Sequence, residues 1–462
     1  MSIDGSTGFA SSLRGRLIHP TDADYDTARA VYNGMIDKRP ALIARCADVA
    51  DIIACVNFAR EQNMLLAIRG GGHNGPGLGT CDGGLVIDLS MLKSVRIDPE
   101  KRTVRVEPGC TAGDVDHATH AFGLAVPFGI VASTGVAGLT LGGGTGYLTR
   151  KHGLTIDNLL EADVVLADGT LVTTSATRHP DLFWALRGGG GNFGVVTSFL
   201  FQAHPVHTVF AGPIFWDAAD AFTVMRTYRD FITTAPEDLG IFVGLKTVPP
   251  TDPFPREHWG KRACAIIGSF NGSAADGAKA MEPLLSKLPA PLFNWMGEMP
   301  FPAINSLFDP FFPKGLQWYW KGDFVTSLPD EAIRTHIAQA GQPASDFCLM
   351  HLYPIDGAVH RVAKDATPWH ARNAAFNMVI AGIDPDPKNA EKLKTWGRAY
   401  WKAVHPFNQG GAYVNFLHDD EAEGRVEASY GDNHARLRNV KATYDPKNLF
   451  RVNQNIQPAS AG

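Results

Sequence analysis

The sequence predicts an α+β fold in which short strands pair as antiparallel hairpins. Residues 94–97 and 103–106 alternate apolar and polar side chains around a turn, and residues 162–166 and 171–174 do the same around an Asp-Gly pair. Helical periodicity occurs between the strands, but strand and helix do not alternate regularly, which argues against a parallel βαβ series. The 462 residues suffice for two or three structural units.

The other elements of the first half follow from periodicity and capping. Val49, Ile52 and Val56 share one face and predict a helix over residues 48–59. Further elements are a buried strand over 65–68 leading into a loop, a helix over 111–122 capped by its first residue, a helix over 180–186 and a strand over 195–201.

The second half has longer elements and more aromatic residues. Strands are predicted over 214–216, 241–245, 263–270 and 317–324, and helices over 218–233 and 274–288. The tail adds a strand-like Tyr413-Val-Asn-Phe segment and an amphipathic helix over 431–444.

Composition excludes several classes of protein. Lys and Arg number 42 against 47 Asp and Glu, so the net charge of −5 leaves no basic excess for nucleic acid. The six cysteines are dispersed along the sequence, and the N-terminus lacks the basic residues and the apolar run of a signal peptide. Both observations indicate a cytoplasmic protein. The 29 residues between His120 and Arg150 carry no charged side chain, but their eight glycines disfavour a membrane span. We therefore expect no nucleic-acid or membrane partner.

Glycine clusters are the most informative feature of the sequence. The 48 glycines make up about 10% of the chain against a usual ~7%, and four clusters lie within residues 70–194. Two clusters satisfy GxGxxG, but neither lies between a strand and a helix, which disfavours a Rossmann site. Tight turns alone would explain any single cluster. Together the loops are typical of a site where backbone N–H groups bind the phosphates of a large ligand.

Two other kinds of site are disfavoured. His117 and His120 are three residues apart on a predicted helix, but no third strong ligand accompanies them, so we expect no metal site. A GxSxG motif is absent from the sequence, which argues against an α/β-hydrolase.

Five motifs occur in an order and spacing shared with a known family. They are RGGGHN at 69–74, STGVAGLTLGGGTG at 133–146, KHGLTIDN at 151–158, DLFWALRGGGGNFG at 181–194 and YDPKNLFRVNQNI at 444–456. Over nearly its whole length the sequence resembles the berberine-bridge-enzyme-like FAD-linked oxidases of the vanillyl-alcohol-oxidase and p-cresol-methylhydroxylase superfamily. Its first half is similar to bacterial 6-hydroxynicotine oxidases.

The resemblance implies a domain organisation. A PCMH-type FAD-binding domain of two α+β subdomains is expected over residues 1–205, with its core at about 38–207. A substrate-binding domain, an antiparallel sheet covered by helices, is expected over 206–410, and residues 411–462 are expected to return to the FAD domain.

The resemblance also implies how FAD is held. His73 matches the histidine that bonds to the flavin 8α-methyl group, a role that needs a neutral imidazole nitrogen. Val131 stands where bicovalent relatives carry cysteine, so a single attachment is implied. Thr134 matches a position that influences the access of O2, the expected electron acceptor. A threonine there leaves open whether the protein is an oxidase or a dehydrogenase. The positions implied to bind FAD are Arg69, Gly70, Gly71, Gly72, His73, Asn74, Ser133, Thr134, Gly135, Gly138, Gly142, Gly146, Asn158, Gly194, Val196, Asn415 and Asn453.

The catalytic base departs from the family pattern. Many relatives use the second tyrosine of a Tyr-x-Asn-Tyr motif, and this chain has Phe416 there. Tyr413, Tyr319 and Lys321 are candidate substitutes, the last two on one face of a predicted strand. A solvated strand face is the alternative interpretation of that pair. Without a base, an amine or an acidic phenol becomes the easier substrate.

The leading hypothesis for function is an oxidase. The resemblance implies that flavin N5 takes a hydride from a C–H next to O or N, and the Trp- and Phe-rich second half favours a small aromatic or alicyclic substrate. Alternatives are a flavin-binding protein whose catalysis has decayed, an FAD dehydrogenase with a non-oxygen acceptor, and an NAD(P)-linked reductase with dissociable flavin.

Overall fold

A computed structural model describes residues 6–408, 410–421 and 424–460. The helices are α1 (Ser6–Ser12), α2 (Tyr25–Arg29), α3 (Val49–Glu61), α4 (Ala112–His120), α5 (Val136–Gly142), α6 (Thr149–His152), α7 (Pro180–Leu186), α8 (Ala221–Ile232), α9 (Ala274–Leu285), α10 (Phe301–Asn305), α11 (Asp330–Ala340), α12 (Ala390–Val404), α13 (Arg425–Tyr430) and α14 (His434–Tyr444). The strands are β1 (Arg16–Ile18), β2 (Leu42–Arg45), β3 (Leu66–Arg69), β4 (Leu85–Asp88), β5 (Val95–Asp98), β6 (Thr103–Val106), β7 (Leu124–Ala125), β8 (Leu159–Val165), β9 (Leu171–Ser175), β10 (Val195–Gln202), β11 (His204–Pro205), β12 (Thr208–Asp217), β13 (Leu239–Thr247), β14 (Arg262–Phe270), β15 (Phe293–Asn294), β16 (Gly297–Pro300), β17 (Gln317–Val325), β18 (Leu349–Pro354) and β19 (Phe376–Asp384).

The first half folds around two sheets, and the α+β class is confirmed. A four-stranded sheet has the order β1-β2-β4-β3, in which β4 runs parallel to both β2 and β3. A five-stranded antiparallel sheet has the order β5-β6-β10-β8-β9 and contains both predicted hairpins. Helix α4 begins with a capping box, because Thr111 accepts from the N–H of Asp114 and the Asp114 carboxylate accepts from the N–H of Thr111.

The second half is one antiparallel sheet with two different faces. Its order is β15-β12-β14-β13-β18-β19-β17, and β16 pairs with β12 as the eighth strand. On the outer face, Leu245, Met350 and Met378 belong to a core that includes residues of α8, α11 and α12. The inner face carries Leu349 and several aromatic residues, among them Phe242, and it points toward the first half of the chain. Alternation along the strands therefore packs one face against the helices and turns the other toward the first half of the chain.

The uncharged segment between His120 and Arg150 crosses the middle of the molecule. It contains β7 and α5, and its glycine-rich loops run beside the inner face of the large sheet. None of the helices in the described part of the chain combines the length and the apolar character that a membrane span requires.

A buried carboxyl group joins the two halves where α4 meets α10. The Asn305 side chain donates to Asp116 Oδ2 at 2.7 Å, and both residues are buried. The second oxygen, Asp116 Oδ1, has no hydrogen-bond partner among the described residues. Burial raises the pKa of Asp116 to about 7, so the folded protein keeps this carboxyl protonated at a pH where an unfolded chain would not.

We expect the protonated Asp116 to make stability pH-dependent. Because the folded pKa lies above the ordinary value of 3.8, the folded state holds one more proton than the unfolded state, and stability falls as pH rises toward about 7. The free energy of unfolding of the wild type, measured with urea, should fall by about 2–3 kcal/mol between pH 5 and pH 8. Asp116→Asn should not show this fall. The matched control, exposed Asp365→Asn, should keep the wild-type loss. Equal losses in wild type and Asp116→Asn would contradict the assignment.

Candidate active site

A cavity of about 370 Å³ lies between the glycine loops of the first half and the inner face of the large sheet. Its floor comes from three glycine-containing segments, within residues 68–79, 129–145 and 190–196, the second of which includes α5. Its roof comes from β17, β18 and β19, and two segments of the tail, 413–416 and 452–454, close one side. The volume is within the ~300–1,000 Å³ typical of small-molecule and cofactor sites.

The floor depends on two glycines in direct backbone contact. A Cβ atom built on Gly71 would lie 2.5 Å from both Cα and N of Gly135, and a Cβ on Gly135 would lie 2.4 Å from N of Gly71. No larger residue fits at either position without moving one of the loops. Gly138 and Gly191, in contrast, have no atom within 4 Å of the added Cβ, so their Cα atoms face open space. The glycines therefore serve both loop packing and room for a ligand.

His73 lines the cavity on the loop that contains Gly71. Its ring stacks on Tyr32 with centroids 3.8 Å apart, and the Tyr32 hydroxyl donates to the carbonyl of Phe312 at 2.5 Å. Burial lowers the pKa of His73 to about 4, so the imidazole is neutral near pH 7. A fixed, neutral imidazole facing a cavity is the form that a nucleophilic role requires.

Polar groups without partners also line the cavity. Arg69 donates to Asp88 through Nη2 at 2.9 Å, but its Nη1 has no partner among the described residues. Asn453 Oδ1 and the Tyr430 hydroxyl are likewise buried and unpartnered. Because buried polar groups are rarely left unsatisfied, these atoms fit a bound ligand with several polar groups. FAD, with its pyrophosphate, ribityl and ring atoms, is such a ligand.

The tail segment at 413–416 is a single 3₁₀ turn, Val414–Phe416, where a strand was predicted. The Tyr413 hydroxyl accepts from the N–H of Gly144 at 3.0 Å and from Asn415 Nδ2 at 2.7 Å. Asn415 also donates to the carbonyl of Gly138 at 3.1 Å. Burial raises the pKa of Tyr413 to about 12. Both residues line the cavity, but their polar groups are engaged in tying the tail to the glycine loops.

The structure does not bring Tyr319 and Lys321 to the cavity. Trp318 and Trp320 of β17 line it, and the alternation of the strand turns Tyr319 and Lys321 to the opposite face. There the Tyr319 hydroxyl donates to Asp420 at 2.8 Å, and Lys321 pairs with the same carboxylate at 2.8 Å. The pair is therefore part of a buried ion-pair network and is withdrawn as a candidate base.

Four other predicted cofactor positions also lie outside the cavity lining. Asn158 donates to the carbonyls of His152 and Leu154, both at 2.9 Å, and fixes a loop. Gly142 packs on Asn415, and Gly146 packs on the carbonyl of Phe128. Ser133 is next to the lining residue Thr134, and its backbone contacts the His73 ring. The predicted positions that the structure does bring to the lining are Arg69, Gly70, Gly71, Gly72, His73, Asn74, Thr134, Gly135, Gly138, Gly194, Val196, Tyr413, Asn415 and Asn453.

The roof contains a polar pair that the sequence analysis missed. His351 Nδ1 and the Tyr353 hydroxyl lie 2.7 Å apart on β18, and both residues line the cavity. Burial, with the charge of Lys246 as a second cause, lowers the pKa of His351 to about 3. Burial also raises the pKa of Tyr353. The signal was present as a His-x-Tyr spacing, which places both side chains on one strand face, but nothing in the sequence identified that face as the inner one.

Comparisons with known proteins identify the family of this chain. Residues 40–175 match the model of an FAD binding domain, and residues 412–457 match the berberine and berberine-like model. An FAD-linked oxidoreductase of Bacillus subtilis, YgaK, is 32% identical over 459 residues, covering 97% of this chain and 98% of the relative. This chain belongs to the berberine-bridge-enzyme-like FAD-linked oxidoreductases.

Two further members show how varied the substrates of this family are. A xylooligosaccharide oxidase from Thermothelomyces thermophilus is 30% identical over 474 residues, covering 94% of this chain and 91% of the relative. The crystal structure of 6-hydroxy-D-nicotine oxidase from Arthrobacter nicotinovorans superposes with a TM-score of 0.87 at 26% identity, over 97% of this chain and 99% of that one. Family membership thus defines an FAD-linked oxidoreductase and leaves its substrate open.

The glycine contact gives a prediction about stability. Gly71→Ala should lower the free energy of unfolding by about 1–3 kcal/mol, because the new methyl group forces two backbones apart. Gly191→Ala, whose methyl group meets no atom, should change it by less than about 0.5 kcal/mol. Urea unfolding of both variants measures the difference. Equal stability of the two variants would show that the loops move apart without cost.

Proposed function

We propose that this FAD-linked oxidoreductase is an oxidase with FAD attached through His73. Its proposed substrate is a small, flat aromatic or alicyclic molecule, from which a hydride leaves a C–H next to O or N. The observation that carries the proposal is the neutral, cavity-facing imidazole of His73, fixed on a glycine loop by stacking on Tyr32. When bound, FAD supplies the two-electron acceptor, and O2 is the proposed acceptor in turn.

The chain's own residues have distinct proposed roles around FAD. The loop at 70–74 and the segment at 134–138, which includes the start of α5, hold the cofactor together with Arg69 and Asn453. Trp318, Trp320 and Phe416 form apolar walls that exclude water and fit a flat substrate. The Tyr353 hydroxyl, held by His351, is placed to hydrogen-bond the O or N of the substrate.

Protonation states of the lining residues favour substrates that need little help in losing a proton. Burial raises the pKa of Tyr413 and Tyr353, and it lowers that of His351 to about 3, so each of these groups is neutral near pH 7. Neutral phenols and a poorly basic imidazole are weak general bases. Acidic phenols that also carry a CH–O or CH–N group, from which the hydride leaves, therefore suit this cavity better than simple alcohols.

The covalent attachment is tested by acid precipitation. The wild-type protein should be yellow, and the colour should stay in the denatured pellet because a covalent bond survives unfolding. His73→Ala should release its flavin to the supernatant or lack flavin. Exposed His117→Ala is the matched control and should behave as wild type. Release of the colour from wild-type protein would overturn the attachment and favour a dissociable flavin.

Anaerobic bleaching tests the oxidase activity. Under nitrogen, an acidic phenol that is a substrate should bleach the flavin band, and admitting air should restore it with consumption of O2. Bleaching that air does not reverse, but that an artificial acceptor does, would indicate a dehydrogenase. No bleaching across phenols, amines and alcohols would favour a flavin-binding protein whose catalysis has decayed.

A further inference from the structure

Lys246 is a charged residue at the edge of the cavity roof. It lies on β13 opposite Leu349 of β18, so it shares the inner face of the sheet with that lining residue, although Lys246 is not itself one of the residues that line the cavity. Its ammonium group lies 5.9 Å and 5.8 Å from the ring centroids of Phe308 and Phe312, two residues that line the cavity. A third ring, that of Phe215, is 6.0 Å away. The lysine is therefore held among aromatic faces beside the substrate space.

No carboxylate of the described residues lies within ion-pair distance of Lys246. Other buried lysines of the chain are paired, since Lys321 has Asp420 at 2.8 Å and Lys441 has Asp445 at 2.7 Å. Burial lowers the pKa of Lys246 to about 8, which still leaves the amine mainly protonated at pH 7. A desolvated cation that has aromatic rings but no anion beside it costs stability, unless a ligand supplies the missing charge.

Arg69 carries the one charge among the described side chains that line the cavity. His73 and His351 also line it but are neutral near pH 7, and neither Asp nor Glu is among the described lining residues. Arg69 is already paired with Asp88, which leaves Lys246 as a cation close to the roof with no anion near it. A protonated amine entering this space would meet no counter-ion, whereas an anion at the wall formed by Phe308 and Phe312 would lie close to the ammonium group of Lys246. The lining thus discriminates between the two classes of substrate.

We propose that Lys246 binds an anionic oxygen of the substrate, so that the enzyme acts on flat aromatic or alicyclic molecules that carry a carboxylate or a phenolate. This inference rests on the proposed function for the reaction itself, and it adds the charge of the substrate. Binding exchanges no electrons and breaks no bond, because the lysine acts only as a hydrogen-bond donor and counter-ion.

Benzoate and benzamide provide a matched pair of probes, since they have similar shape and differ in charge. Isothermal titration calorimetry of the purified holoenzyme should show tighter binding of benzoate than of benzamide. Lys246→Met should weaken benzoate binding about tenfold or more and leave benzamide binding within about twofold. Lys246→Arg, which keeps the charge, should retain most of the benzoate affinity. Exposed Lys392→Met, on α12, is the control and should match wild type.

Three results would overturn the proposal. The first is wild-type protein that binds benzamide as tightly as benzoate, or that binds neither. The second is a Lys246→Met variant with unchanged benzoate affinity. The third is a Lys246→Met variant that loses affinity for benzoate and benzamide equally, which would indicate a damaged cavity. Because calorimetry does not depend on flavin colour or turnover, these results are independent of the attachment and bleaching tests. The calorimetry can therefore disprove the charge preference while the proposed oxidase function stands, and the attachment and bleaching tests can disprove the oxidase function while the charge preference stands.

Discussion

The site depends on the close contact between the backbones of Gly71 and Gly135. This contact joins two loops that are far apart in sequence and sets the floor of the cavity. His73 follows Gly71 by two residues and Thr134 precedes Gly135 directly, so both are positioned by the same contact. Because a single methyl group would separate the loops, glycine at these positions is a steric requirement and gives no flexibility to the site.

The large sheet supplies the complementary half of the site through a simple alternation. Each strand places every second residue on the inner face, and the helices cover the outer one. On β17 this rule sends two tryptophans to the cavity and Tyr319 with Lys321 into ion pairs behind it. Apolar walls and polar contacts therefore come from a scaffold whose strands are fixed by hydrogen bonds along their length, which suits a site that must orient a substrate.

Much of this organisation could be predicted from the sequence, and the failures have physical reasons. The hairpins, α7 and the glycine loops depend on local patterns, so their prediction succeeded. The inner face of β17 could not be predicted, because alternation tells which residues share a face but not which face is buried, and both faces of this strand carry large side chains. The turn at Val414–Phe416 depends on contacts with Gly144 and Gly138, more than 260 residues away, which local patterns do not contain.

The long-range contacts of the tail have a consequence for the state of the cavity while the chain is being synthesised. Asn415 donates to the carbonyl of Gly138 in α5, the Tyr413 hydroxyl accepts from Gly144 in the loop after that helix, and Asn453 donates to the carbonyl of Gly191. A ribosome releases the first half of the chain well before it releases these residues. During synthesis, the glycine loops therefore exist for a time without the side chains that close one wall. The complete cavity is a property of the finished chain, although most of its lining is encoded in the first two hundred residues.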